Sequence, residues 1–113
     1  QALATIMALA TESDVAQQRL VLEGADSAVL LSMEHLLDDA HVQATACGAL
    51  VQLTYLEVGQ KAVGEGGGIA AVLRAMQGHP ETPAVQTATL GVLVNLSCHP
   101  DNVPRIVGQG AGV

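Results

Sequence analysis

The chain repeats itself about every 43 residues, and this constrains its fold more than any other feature. The segment 42–54, VQATACGALVQLT, aligns with the segment 85–97, VQTATLGVLVNLS, at an offset of 43. Val, Gln, Gly, Leu, Val and Leu coincide, and Gln52 falls on Asn95. A partial third copy places Ile6–Ala10 on Leu50–Thr54 at an offset of 44. A second landmark keeps the same step: Leu20–Ala25, Ala62–Gly67 and Ile106–Ala111 align, with Gly24, Gly66 and Gly110 spaced 42 and 44 apart. A period of this size is that of a repeat array, in which each unit buries its apolar face on its neighbours.

Each period divides into three helical pieces. A short one ends at the glycine and covers Val15–Leu22, Gly59–Val63 and Val103–Val107. A medium one covers Ser27–Leu37 and Ile69–Met76, and a long one Gln1–Ala10, His41–Leu56 and Ala84–Cys98. Gly, Pro and Asp in the loops at 38–39 and 78–83 are turn chemistry, and Asp39 is placed to cap the long helix that follows it. Gly48 and Gly91 are poor residues for a helix interior. They require a spatial reason, either a close helix approach or an open groove.

With this pattern the chain resembles the armadillo repeat family. The resemblance rests on three helices per roughly 43 residues, the turn glycine, and Val-Gln-x-x-[Ala/Thr]-x-Gly-[Ala/Val]-Leu-Val-[Gln/Asn]-Leu, and it covers essentially the whole chain. The related HEAT repeat has two helices and lacks the glycine-bounded short one. The resemblance implies an all-α, right-handed superhelical solenoid. Its units are a partial repeat over 1–23, a complete one over 24–66, a nearly complete one over 67–110 and the start of another at 111–113. Leu3, Ile6 and Leu9 at one end, and Val113 as the opening of a further helix at the other, suggest a part of a longer solenoid whose uncapped ends are open to self-association.

The resemblance also implies a concave groove along the long helices, with Gly48, Gln52, Gly91 and Asn95 facing a partner and Ala4 and Ala8 at the matching places of the first copy. An Asn at the position of Asn95 holds the backbone of an extended peptide in some members of that family. The tryptophan ladder of the nuclear-import receptors is absent, with Gly48 and Gly91 standing in its place, so the chain is not of that type.

Composition narrows the partner. The net charge is −7, from 11 acidic and 4 basic residues. That opposes nucleic-acid phosphates and anionic membrane surfaces as partners. The long helices carry no charge, so the groove should be neutral and the acidic residues should lie on ridges and the outer face, among them Glu34, Asp38 and Asp39. Tyr55 is the single aromatic, so Ala, Val, Leu and Ile must fill the core. The longest uncharged stretch, Thr82–Pro100, is too polar to span a membrane, and no signal peptide is visible. Cys47 and Cys98 are too few for a disulfide scaffold and read as reduced thiols in apolar helices, which suits an intracellular protein, cytoplasmic or nuclear.

No constellation for catalysis stands out, and the chain is not expected to be an enzyme or to need a cofactor or metal. His35, Asp38, Asp39 and His41 match no standard metal spacing. The run Gly64-Glu65-Gly66-Gly67-Gly68-Ile69 lacks both the Lys of a phosphate-binding loop and a third fingerprint glycine, and reads as an inter-repeat turn. Ser32 and Ser97 carry no sign of activation, and Cys98 and His99, adjacent on a helix, point apart. The expected function is a non-catalytic scaffold that binds a protein or extended peptide. Two alternatives are a regulatory module of a larger enzyme, such as a kinase or ubiquitin ligase, and a component of a cytoskeletal or ciliary assembly.

Overall fold

A computed structural model describes residues 2–110. Gln1, placed by the sequence in the first long helix, and Val113 with the 111–113 segment lie outside the described residues. Among those described, the chain forms eight helices and no strand: α1 Ala2–Ala10, α2 Asp14–Leu22, α3 Ala25–His35, α4 Ala40–Leu53, α5 Glu57–Glu65, α6 Gly68–Gly78, α7 Pro83–Ser97 and α8 Asn102–Gly110. None of these helices is long and apolar enough to cross a membrane.

The helices recur in the expected order, short, medium and long. The short ones are longer than the sequence suggested. α5 runs on through Gly64 to Glu65, and α8 occupies nine residues. The long helix α4 is shorter and stops at Leu53, with the Thr54 hydroxyl folded back onto the Leu50 carbonyl at 2.6 Å just past its end. Asp39 caps α4 as expected, accepting the Val42 amide at 3.1 Å, and Ser13 caps α2 in the same way. Pro83 opens α7 where a missing amide hydrogen costs nothing.

The turn glycines need one correction. Gly24 ends α2 and starts α3 in left-handed conformation, with φ of 86°. Its counterpart is Gly67, with φ of 91°, and not Gly66, whose φ is −86°. The two bends are therefore 43 residues apart. A residue with a Cβ in that conformation costs roughly 1–2 kcal/mol, so glycine is the natural hinge between a short and a medium helix.

Helices of like kind lie side by side: α1 with α4 and α4 with α7, α3 with α6, α2 with α5 and α5 with α8. Aliphatic side chains fill the space between rows, with Val29, Met33, Leu50, Leu53, Val63, Ile69, Val72, Val85, Val92 and Leu96 excluded from solvent. No aromatic takes part, since Tyr55 is exposed.

Side-chain amides complete the backbone at the helix ends. Gln43 donates to the carbonyls of Met33 at 3.1 Å and Leu36 at 2.9 Å. One period later Gln86 does the same to Met76 and His79, at 2.9 and 3.1 Å. These carbonyls lie at or just past the ends of the medium helices, where intrahelical donors run out; those of Leu36 and His79 also accept the Asp39 and Thr82 amides. The ends of the long helices receive Gln17 at Ala10, Gln60 at Thr54 and Asn102 at Leu96. Further bonds join neighbouring units, from the Leu56 amide to Gln17 Oε1, from Asn102 Nδ2 to the Gln60 carbonyl and from His79 Nε2 to the Leu37 carbonyl.

Candidate functional site on the face of the long helices

α1, α4 and α7 together form a shallow hollow of about 620 Å³. Its floor is Met7, Gly48, Val51 and Gly91, and Gln52 and Thr87 stand at its rim. No ionisable side chain lines it, in keeping with the uncharged long helices. The two glycines have ordinary helical backbone, so their role is spatial. A Cβ on Gly48 would stand 3.3 Å from Met7 Cε, and one on Gly91 would stand 3.2 Å from Val51 Cγ2. Met7 and Val51 occupy equivalent places in successive units. One contact, an apolar side chain over a bare helical turn, thus occurs twice along this face.

Three of the four residues singled out in the sequence, Gly48, Gln52 and Gly91, meet in this hollow. Asn95 does not line it. Its Nδ2 donates to the Val51 carbonyl at 3.0 Å and to Thr54 Oγ1 at 3.3 Å, so both of its hydrogens tie α7 to α4. Gln52 also borders a smaller hollow of about 200 Å³, shared with Ala10, Gln17 and Tyr55. Ala4 and Ala8 are exposed on α1.

The remaining candidates fall elsewhere. Glu34, His35, Asp38 and Asp39 surround an open concavity at the α3–α4 corner, away from the long-helix hollow. Among the described residues no three His, Cys, Asp or Glu side chains are grouped to hold a metal ion. The glycine run 64–68 is packed against protein at its two ends, where a Cβ on Gly64 would overlap the Asn102 side chain and one on Gly68 would overlap Val63, while Gly66 and Gly67 between them are exposed. His99 is buried, with Nε2 3.8 Å from Glu57 and Nδ1 accepting the Asp101 amide at 3.2 Å. The Cys98 thiol donates instead to the Val94 carbonyl at 3.5 Å.

The two cysteines differ in a way the sequence did not show. Cys47 is fully buried, and Cys98 is exposed. Cys98 lies just past the end of α7, where the chain turns towards α8. Burial pushes the Cys47 thiol up from 9.0 to about 12. At pH 8 only about one Cys47 in 10⁴ is then a thiolate, the reactive form. A thiol reagent should titrate one group per chain, Cys98, in native buffer and two in guanidinium; two equivalents reacting at equal rates in native buffer would contradict the burial. The raised value also means that the native state holds this proton more tightly than the unfolded chain. Stability should therefore fall as pH rises above about 9.

No protein-family model matches the chain, and no solved structure matches it. A curated relative, Protein aardvark of Dictyostelium discoideum, is 40% identical over 83 residues, which is 66% of this chain and 11% of the relative. The chain thus spans about a ninth of the length of the relative it matches.

Proposed function

We propose that this chain is a stretch of right-handed, armadillo-like solenoid that binds a partner protein along the face of its long helices and carries out no chemistry itself. The observation behind this reading is the neutral hollow over α1, α4 and α7, lined by Gly48 and Gly91, with the contact of an apolar side chain over each glycine recurring from one unit to the next. A surface of that shape accepts an extended segment whose side chains are small or apolar where they meet the glycines, with Gln52 offering an amide to its backbone. Asn95 supports the groove by holding α7 against α4, and its contribution to a partner is indirect. The free thiols Cys47 and Cys98 suit a reducing, intracellular setting.

The groove is tested by selecting displayed peptides on the wild-type chain and measuring their affinity for Thr87→Trp. Thr87 is exposed at the rim, so an indole placed there covers the hollow and leaves the core alone. Selected peptides should lose at least about tenfold in affinity, or 1.4 kcal/mol. They should keep it when Glu34 and Asp38 are reversed to lysine, with Asp39 left in place because it caps α4. Retained affinity on Thr87→Trp, combined with a loss on the charge-reversed variant, would transfer the binding site to the acidic face.

A further inference from the structure

The hollow over the long helices does not end at Gln52. The same residue borders the smaller hollow of about 200 Å³, whose other walls are Ala10, Thr11, Ser13, Asp14, Gln17 and Tyr55. Both hollows lie between successive units, with described residues on either side, so neither is an end face of the helix rows.

The second hollow differs from the first in chemistry. Asp14 is the charged side chain that lines it, and Tyr55, the single aromatic of the chain, shares it and is 69% exposed. Asp14 opens α2 and is exposed. The ion pairs among the described residues are those of His99 with Glu57 and Asp101, so Asp14 carries no counter-ion. The half-buried Gln52 side-chain amide also has no hydrogen-bond partner among the described residues, whereas those of Gln17, Gln43, Gln60 and Gln86 close helix ends. An anion without a counter-ion and an exposed ring in one hollow make a seat for a guanidinium. Its flat face stacks on the phenol ring and its N–H fork meets the carboxylate. An ammonium would meet the carboxylate as a point charge and has no flat face to stack.

We propose that the occupant of the groove is an extended segment of a partner protein that sets a small apolar side chain over Gly48 and Gly91 and an arginine between Tyr55 and Asp14. This rests on the reading of the long-helix face as the binding groove. At the rise of a helix, Gly48 and Tyr55 lie about 10 Å apart, which an extended chain covers in about three residues. Gln52 falls between the two seats, where its amide meets the backbone of the segment. The net charge of −7 draws a cationic segment in. Both arginine contacts are exposed to solvent, so together they should account for about a tenfold difference in affinity, and added salt should reduce it.

Randomised peptides displayed and selected on the wild-type chain test this, with synthetic copies titrated by fluorescence anisotropy. The selected sequences should share an arginine about three residues from a small apolar residue. Changing that arginine to glutamate should cost at least about tenfold on the wild type and much less on Asp14→Lys. Asp14→Asn, nearly the same shape, and Tyr55→Leu should each weaken the arginine peptides about threefold and spare their glutamate versions. Both side chains are exposed and Ser13 still caps α2, so circular dichroism of the variants should match the wild type. Peptides that lose affinity on Thr87→Trp but carry no arginine, or whose arginine is indifferent to every change at Asp14, would overturn this inference and leave the groove reading standing. Peptides that depend on Asp14 and ignore Thr87→Trp would overturn the joining of the two hollows together with the groove reading.

Discussion

Gly64→Val should destabilise the protein by about 4 kcal/mol, enough to remove a large share of the 5–15 kcal/mol of a typical domain. Gly64 lies inside α5, and glycine in a helix interior is ordinarily a defect: replacing it with a residue that has a Cβ gains up to about 1 kcal/mol of propensity. That gain is outweighed here. The position is buried, and a Cβ would overlap the amide group of Asn102 on α8. Asn102 is itself fully buried and hydrogen-bonded, so it has no solvent to retreat into. Overpacking costs about 1–3 kcal/mol, and breaking a buried hydrogen-bond network adds a similar amount. The midpoint of guanidinium unfolding, followed by circular dichroism, reads the effect. Gly78→Ala is the control, since a Cβ at Gly78 meets nothing within 4 Å; it should be neutral or slightly stabilising. If Gly64→Val unfolds at the same midpoint as this control, the close approach of α5 to α8 is not what requires glycine.

Asn102→Ala should cost about 2–4 kcal/mol by a different route. The Asn102 amide nitrogen donates to the Gln60 carbonyl at 3.0 Å and the Leu96 carbonyl at 2.9 Å, and its oxygen accepts from Arg105 at 3.0 Å. Removing it leaves carbonyls of two helices facing a dry cavity, which costs more than the hydrogen bonds themselves contribute. Asn102→Asp, nearly the same shape, should be worse at neutral pH, because an anionic acceptor would replace the donor opposite those carbonyls. Its stability should recover in part as acid protonates the new carboxyl. The two sites are coupled: Gly64→Ala combined with Asn102→Ala should cost less than the sum of the single changes, because the second change makes room for the first. Additive costs would show that the two side chains do not share this space.

The pairing of Gly64 with Asn102 illustrates what a repeat alignment omits. Val21 stands one period before Gly64, and Gly59 one period before Asn102. Gly59 is close-packed in its turn, but the Leu53 carbonyl is the nearest atom to the place of a Cβ there. Aligning the copies shows only a mismatch at both places. The contact is between helices 38 residues apart in the chain, and only their packing makes it visible.

Other features were legible because they are local. Helical spacing of apolar residues, the Asp39 cap and the uncharged long helices depend on neighbours within one or two turns. The period itself is a comparison of the sequence with itself. The repeated Gln43 and Gln86 were visible as a match, but their purpose was not, because the carbonyls they serve lie seven and ten residues away across a turn. The glycine run 64–68 could not show which member bends the chain, since any glycine accepts a left-handed φ; the packing of α5 against α6 selects Gly67.

The candidate site divides along the same line. The sequence by itself determined that the long helices are neutral and carry a bare turn at Gly48 and Gly91. These follow from residue type and helical period, which no later folding step can alter. Only the tertiary structure decided that Gln52 stands at the rim of a hollow, that Asn95 spends its donors on α4, and that Cys47 is covered while Leu90, at the same place one unit on, is not. Each of those outcomes depends on which helix lies alongside and how close it comes. That is set by side chains one period away in the chain, and no pattern within a single helix records it.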